Sequence, residues 1–181
     1  MNPLRLVATA TATSALVMLV VSPTMAAAAD PTDKSKATLT ITGGTLDLTV
    51  ESSRRTLGKA SSSDQERDLS GRLGEVVVSD RRGAPEGSGW VANVSSTPFK
   101  AKGGAAIPAR QVSYTVGPIA KQGIATYAAN NPDHLQRPTA AVTATDITGN
   151  NTATWTPTIE VRIPPNAPAG TYTATITHSV L

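Results

Sequence analysis

Two histidines, two tryptophans and thirteen carboxylates carry most of the chemistry open to this chain. Hydrolytic or acid–base work needs such groups converging with tuned pKa values. His134 falls in the turn-like NNPDH and reads as solvated. His178 alternates in phase with Tyr172 and Ile176, which predicts a partly buried, hydrogen-bonded ring rather than a metal ligand. Asp80 follows three valines and precedes Arg81-Arg82, so a turn cap or an ion pair with Arg82 is the expected role. A calcium site would need Asp80, Glu86 and Asp146 brought together, and an acid pair would need Asp80 near Glu160. Nothing in their spacing predicts either. With no cysteine, thiol catalysis and thiolate metal sites are excluded. No catalytic residue, cofactor site or metal site is therefore expected, and the chain does not read as an enzyme.

The aromatics point to packing or to sugar stacking. Trp90, Trp155 and Phe99 are scarce enough in this sequence that each is expected to anchor a core. The rival use is an exposed indole laid against the apolar face of a sugar ring. Trp155, flanked by Thr154 and Thr156 near a turn, is the better candidate for that use. Net charge is +3, and +2 once Arg5 is removed with a leader, from 15 basic and 13 acidic residues. The basic residues are scattered, so nucleic acid is not an expected partner.

Residues 1–29 are expected to be a secretory signal peptide. Arg5, the apolar ALVMLVV ending at Val21, Pro23 and the small residues of MAAAAD follow the expected order, with cleavage after Ala28 or Ala29. The apolar run is short for a membrane anchor, so no stable span is expected after cleavage. Residues 30–36 read as a flexible lead-in and residues 37–181 as one β domain.

Within that domain the hydrophobic period is two. Leu39 and Ile41, then Leu46, Leu48 and Val50, flank Gly43-Gly44 and predict a hairpin. Residues 52–70 read as loop. Residues 73–80 and 90–95 predict adjacent strands joined by the turn-rich RRGAPEGSG. Residues 98–110 read as irregular, 112–116 as a strand, and 120–136 as lacking periodicity. Further alternation covers 140–145, a turn falls at 146–151, and strands follow at 155–163 and 172–180. The last is expected to bury Tyr172, Ile176 and Val180, with Pro164, Pro165 and Pro168 kept ahead of it because proline cannot donate to a ladder. Seven to nine short strands without a helical stripe predict an all-β fold, an antiparallel immunoglobulin-like β-sandwich, with a closed barrel as the alternative.

Two segments, EVVVSDRRGAPEGSGWVANVSS and TPTIEVRIPPNAPAGTYTATITHSV, together with the leader, resemble the WxL-type surface proteins of Gram-positive bacteria. Val78, Asp80, Arg82, Gly89 and Trp90 match a V-x-D-x-R turn ahead of a Gly-Trp strand. Pro165, Ala169, Gly170, Tyr172 and Thr173 match the closing strand. Trp90 is followed by Val91-Ala92, and no Trp-x-Leu occurs, so the resemblance is to a divergent relative, with actinobacteria as one expected source. It implies a secreted β-sandwich held non-covalently at the cell surface, with a wall polymer or another surface protein as partner. The sequence-level expectation is thus a non-catalytic, cell-wall-associated structural or adhesive domain. Its alternative is a secreted carbohydrate-binding module using exposed aromatics.

Overall fold

The computed structural model describes residues 38–51 and 55–181, and Thr40–Leu181 forms one of its two compact units. The expected leader and lead-in lie outside the described residues. This unit is all-β and antiparallel. Among the described residues eleven strands form three sheets, with one turn of 3-10 helix at Ala109–Gln111. The strands are β1 (Leu46–Val50), β2 (Arg67–Arg72), β3 (Val76–Ser96), β4 (Phe99–Ala101), β5 (Ala106–Ile107), β6 (Val112–Thr115), β7 (Ile119–Ala129), β8 (Thr139–Trp155), β9 (Thr158–Ile163), β10 (Tyr172–Thr173) and β11 (Ile176–Val180).

The main sheet runs β1-β3-β8-β7, and β11 also pairs with β3. A second sheet runs β2-β9-β6, and a small one runs β10-β4-β5. One hydrophobic core joins the first two. Val76, Val78, Trp90, Ala92 and Val94 of β3, with Val142, Ala144, Ala153 and Trp155 of β8, pack in the same cluster as Val112, Tyr114, Ile159 and Val161. Alternation explains the choice of side chains. In β3 the even-numbered residues Val76, Val78 and Asp80 are buried, while Val77 and Ser79 are only partly so.

β3 and β8 overturn two sequence expectations. The segments 73–80 and 90–95 are not partners joined by a turn. They are two halves of β3, and each pairs with β8, Val76 opposite Trp155 and Trp90 opposite Ala144. The glycine-rich stretch between them bulges without reversing the chain, and the register shifts at Asp80, Ala84 and Ser88. Residues 146–151 likewise run inside β8 rather than closing a turn, with Asp146 at φ 53° absorbing part of the irregularity. Turn-forming residues therefore mark bulges here, because a long partner strand supplies the ladder on the other side.

The Gly43-Gly44 hairpin is also absent. Only Leu46–Val50 is strand, and it pairs with β3. Residues 38–45 lie outside any strand, with Leu39 and Ile41 exposed at 85% and 86%. The glycines are needed for another reason. Gly43 lies so close to the Arg82 carbonyl that a Cβ would collide with it, and a Cβ at Gly44 would come within 3.0 Å of Arg81 Cβ.

Other expectations shift in smaller ways. Of residues 52–70, read as loop, 52–54 lie outside the described residues and Arg67–Ser70 form the first four residues of β2. Residues 120–136, read as aperiodic, contain most of β7, a sheet edge exposed along much of both faces, which is why no apolar alternation marks it. Residues 98–110 contribute the short β4 and β5. The last segment is not one strand. Tyr172 and Thr173 join β4, whereas Ile176–Val180 joins β3, so Tyr172 belongs to a different sheet from Ile176 and Val180. These short pieces raise the strand number above the seven to nine expected.

Candidate functional site

The even-residue alternation of β3 carries the Asp80 side chain into the core, where it is fully buried. A buried carboxylate must find donors or a counter-ion. Arg82 supplies both as a fork. Its Nε donates to Oδ1 and its Nη2 to Oδ2, each at 2.9 Å, and its backbone N–H donates to Oδ1 at 3.1 Å. The same Nη2 donates to the Gly89 carbonyl at 3.2 Å, so one guanidinium clips both ends of the bulged stretch. These Arg82 bonds outweigh burial and hold the Asp80 carboxyl below its usual range. The carboxylate in turn raises the Arg82 guanidinium.

Asn151 of β8 extends this network. Its Nδ2 donates to Asp80 Oδ2 at 3.3 Å. Its Oδ1 accepts from Trp90 Nε1 and from the Tyr127 hydroxyl, both at 3.1 Å. The Trp90 and Tyr127 rings sit 5.7 Å apart at a 52° tilt. Asp80, Arg82 and Trp90 are thus brought together, tying β3, β8 and β7 into one unit. Trp90 is 2% exposed, in keeping with a core anchor. Asn151 and Tyr127 were missed by sequence reasoning. Asn151 was hidden in the turn-like DITGNN, and only its register opposite Asp80 reveals its role.

A second network lies between the two larger sheets. Trp155 ends β8 and is 2% exposed, which removes it as a sugar platform and corrects the reading of its threonine-flanked position. Its Nε1 donates to the Tyr114 hydroxyl at 2.9 Å, and that hydroxyl lies 3.1 Å from His178 Nε2. Because the Tyr114 oxygen accepts from the indole, its own proton is free for His178 Nε2, which requires a neutral imidazole. Burial pushes the His178 pKa down to about 4, favouring that same form. Burial also raises the Tyr114 hydroxyl well above its usual value, partly offset by the indole N–H. Tyr114, unmarked in the sequence beyond its alternation, links β6 to β8 and β11.

The remaining carboxylates do not converge. Glu160 is exposed on β9 in the second sheet, and Glu86 and Asp146 are also exposed. Among the described residues no group of three or more His, Asp or Glu side chains is placed to hold a metal. No buried side-chain polar atom among them lacks a hydrogen-bond partner. His134 is exposed, with Nδ1 2.6 Å from the Arg110 carbonyl.

What remains open is a groove of about 1570 Å³ lined by parts of the second and third sheets and by β11. Leu69, Phe99, Ile163, Tyr172, Ile176 and His178 line it. Phe99 and Tyr172 are half-buried there, and the Tyr172 hydroxyl donates to the Pro168 carbonyl at 2.8 Å. Lys59, Arg67 and Lys100 lie along the same groove and make no ion pair among the described residues. Arg55 is held by Glu51 at 2.6 Å. The groove therefore offers apolar and aromatic contact beside positive charge. Among the described residues no helix is long and apolar enough to cross a membrane.

No family model matches the chain, and no curated protein does. Among solved structures, a family 123 glycoside hydrolase from Clostridium perfringens, studied for glycolipid glycan hydrolysis, aligns at 17% identity with a TM-score of 0.31. The alignment covers 66% of this chain and 19% of that one, so the chain spans about a fifth of the enzyme's length. A likeness at that score carries no functional weight.

Proposed function

We propose that this protein is an exported, non-catalytic domain of the Gram-positive cell surface, a divergent WxL-like module on an immunoglobulin-like sandwich, that associates with wall polymer. One observation carries the reading. The residues that resemble the family pattern, Asp80, Arg82, Gly89 and Trp90, are bonded to one another and to Asn151, and so act as a fold-defining clasp. A pattern of that kind marks a type of domain rather than a reaction. Binding then falls to the open groove, where Lys59, Arg67 and Lys100 suit an anionic polymer.

A second reading, a secreted carbohydrate-binding module, is favoured by the half-buried Phe99 and Tyr172 in that groove. In this form the sugar stacks on these two rings, and the buried tryptophans take no part. Co-sedimentation tests both readings. The protein is mixed with whole Gram-positive walls and with purified peptidoglycan, at low and high salt. Pelleting with walls is expected. Loss in salt and with Lys100→Glu identifies charge recognition, since salt screens exposed charges. Loss with Tyr172→Ala, together with survival in salt, identifies sugar stacking. Protein that stays in the supernatant with every wall preparation rules out direct wall attachment.

A further inference from the structure

Residues 38–42, TLTIT, have the composition and alternation of a strand, yet among the described residues they join none. Threonine and isoleucine favour extended backbone. Leu39 and Ile41 would share one face of such a strand, and both are almost fully exposed. Exposed alternating apolar residues outside any strand invite pairing with an open sheet edge.

The main sheet offers such an edge at β7, which among the described residues pairs only with β8. Its second half, Ile124–Ala129, reads IATYAA and carries no charge. Ile124 is 67% exposed there. Lys121 and the bulge at Gly123 protect the first half, as edge strands commonly require; a second register shift falls between Ile124 and Thr126, and beyond it Thr126–Ala129 pairs regularly with β8 and carries no charge.

A chain cannot satisfy its own edge in this way. β1 and β7 lie at opposite ends of the order β1-β3-β8-β7, three strand spacings apart, or about 14 Å. Crossing that width from Gly43 would use about four residues at roughly 3.3 Å each, leaving almost none to pair. We propose that residues 38–42 of one copy add as a strand to the β7 edge of a second copy. Donor and acceptor are different surfaces, so the contact is head-to-tail and can propagate into a chain of subunits.

The test expresses the 181-residue sequence and purifies the folded protein. Sedimentation velocity is expected to show larger species growing with concentration. Ile41→Asp and Ile124→Lys, both at exposed positions, are each expected to abolish that growth while circular dichroism stays that of the wild type. Because the chain has no cysteine, single-cysteine variants can be mixed and linked with a bismaleimide. Thr40→Cys chains are expected to cross-link to Ala128→Cys chains and not to Ser179→Cys chains on β11. The proposal is overturned by a monomer at all concentrations, by association that survives both charged variants, or by cross-linking to Ser179→Cys in preference to Ala128→Cys.

Discussion

Removing the Arg82 guanidinium would leave the Asp80 carboxylate buried with only Asn151 and a backbone amide as donors. Asp80 is buried but the Arg82 side chain is 38% exposed, so water reaches that side of the pair and the loss is smaller than for a fully buried pair, about 1–3 kcal/mol. Arg82→Ala should lower stability by about that amount in urea unfolding, and Arg82→Lys should recover only part, since an ammonium cannot make the two-pronged contact. Asp80→Asn should cost less, because Arg82 can turn to water. His178 gives a separate pH signature. Its pKa is 6.5 unfolded and about 4 folded, so the unfolded chain binds more protons between those values. Stability from this group is complete above 6.5 and is lost as pH falls toward 4, by at most about 3 kcal/mol. Urea midpoints measured from pH 7 to 4 should fall, and His178→Gln should flatten that slope. Asp80, whose pKa is lowered, adds its own loss only at still lower pH.

At the scale of elements, the bulges that interrupt β3, β7 and β8 are the most specific feature of the sheet. Gly123 sits at φ +82°, where a Cβ would strike the Asn150 carbonyl. Gly123→Ala should therefore cost more than the roughly 1 kcal/mol of an ordinary glycine replacement, read as a lower melting temperature. These bulges also explain what the sequence concealed. Period two located the strand cores at Val76–Asp80, Trp90–Val94, Val112–Thr115 and Ile159–Ile163, because each has one face on the common core. It failed at residues 81–89 and 146–151, where Gly, Pro and Asn signal a break but cannot say whether the chain reverses or bulges. That choice depends on the partner strand, which is remote in sequence. It failed again at β7, because an edge exposed along much of both faces leaves no apolar alternation. Of the candidate residues, the Asp80–Arg82 pair was legible from its i, i+2 spacing. Asn151 and Tyr114 were not, since their roles arise only across β8 and between sheets.

For the whole molecule, the division is between residues that hold the sandwich and residues that line the groove. Asp80, Arg82, Trp90 and Trp155 belong to the first group. Phe99, Tyr172, Lys59, Arg67 and Lys100, around the groove, belong to the second. Head-to-tail pairing through residues 38–42 would leave that groove open on every copy, so weak contacts to a repeating wall polymer would add along the assembly. Trp155→Phe separates the two groups most directly. The variant leaves the Tyr114 hydroxyl without its indole donor and should cost about 1–3 kcal/mol. Wall pelleting of this variant is measured at a temperature where circular dichroism shows it fully folded. Unchanged pelleting with a lowered melting temperature is the expected result. Lost pelleting with an unchanged melting temperature would mean that Trp155 meets the ligand itself, and would contradict the assignment of the tryptophans to the core.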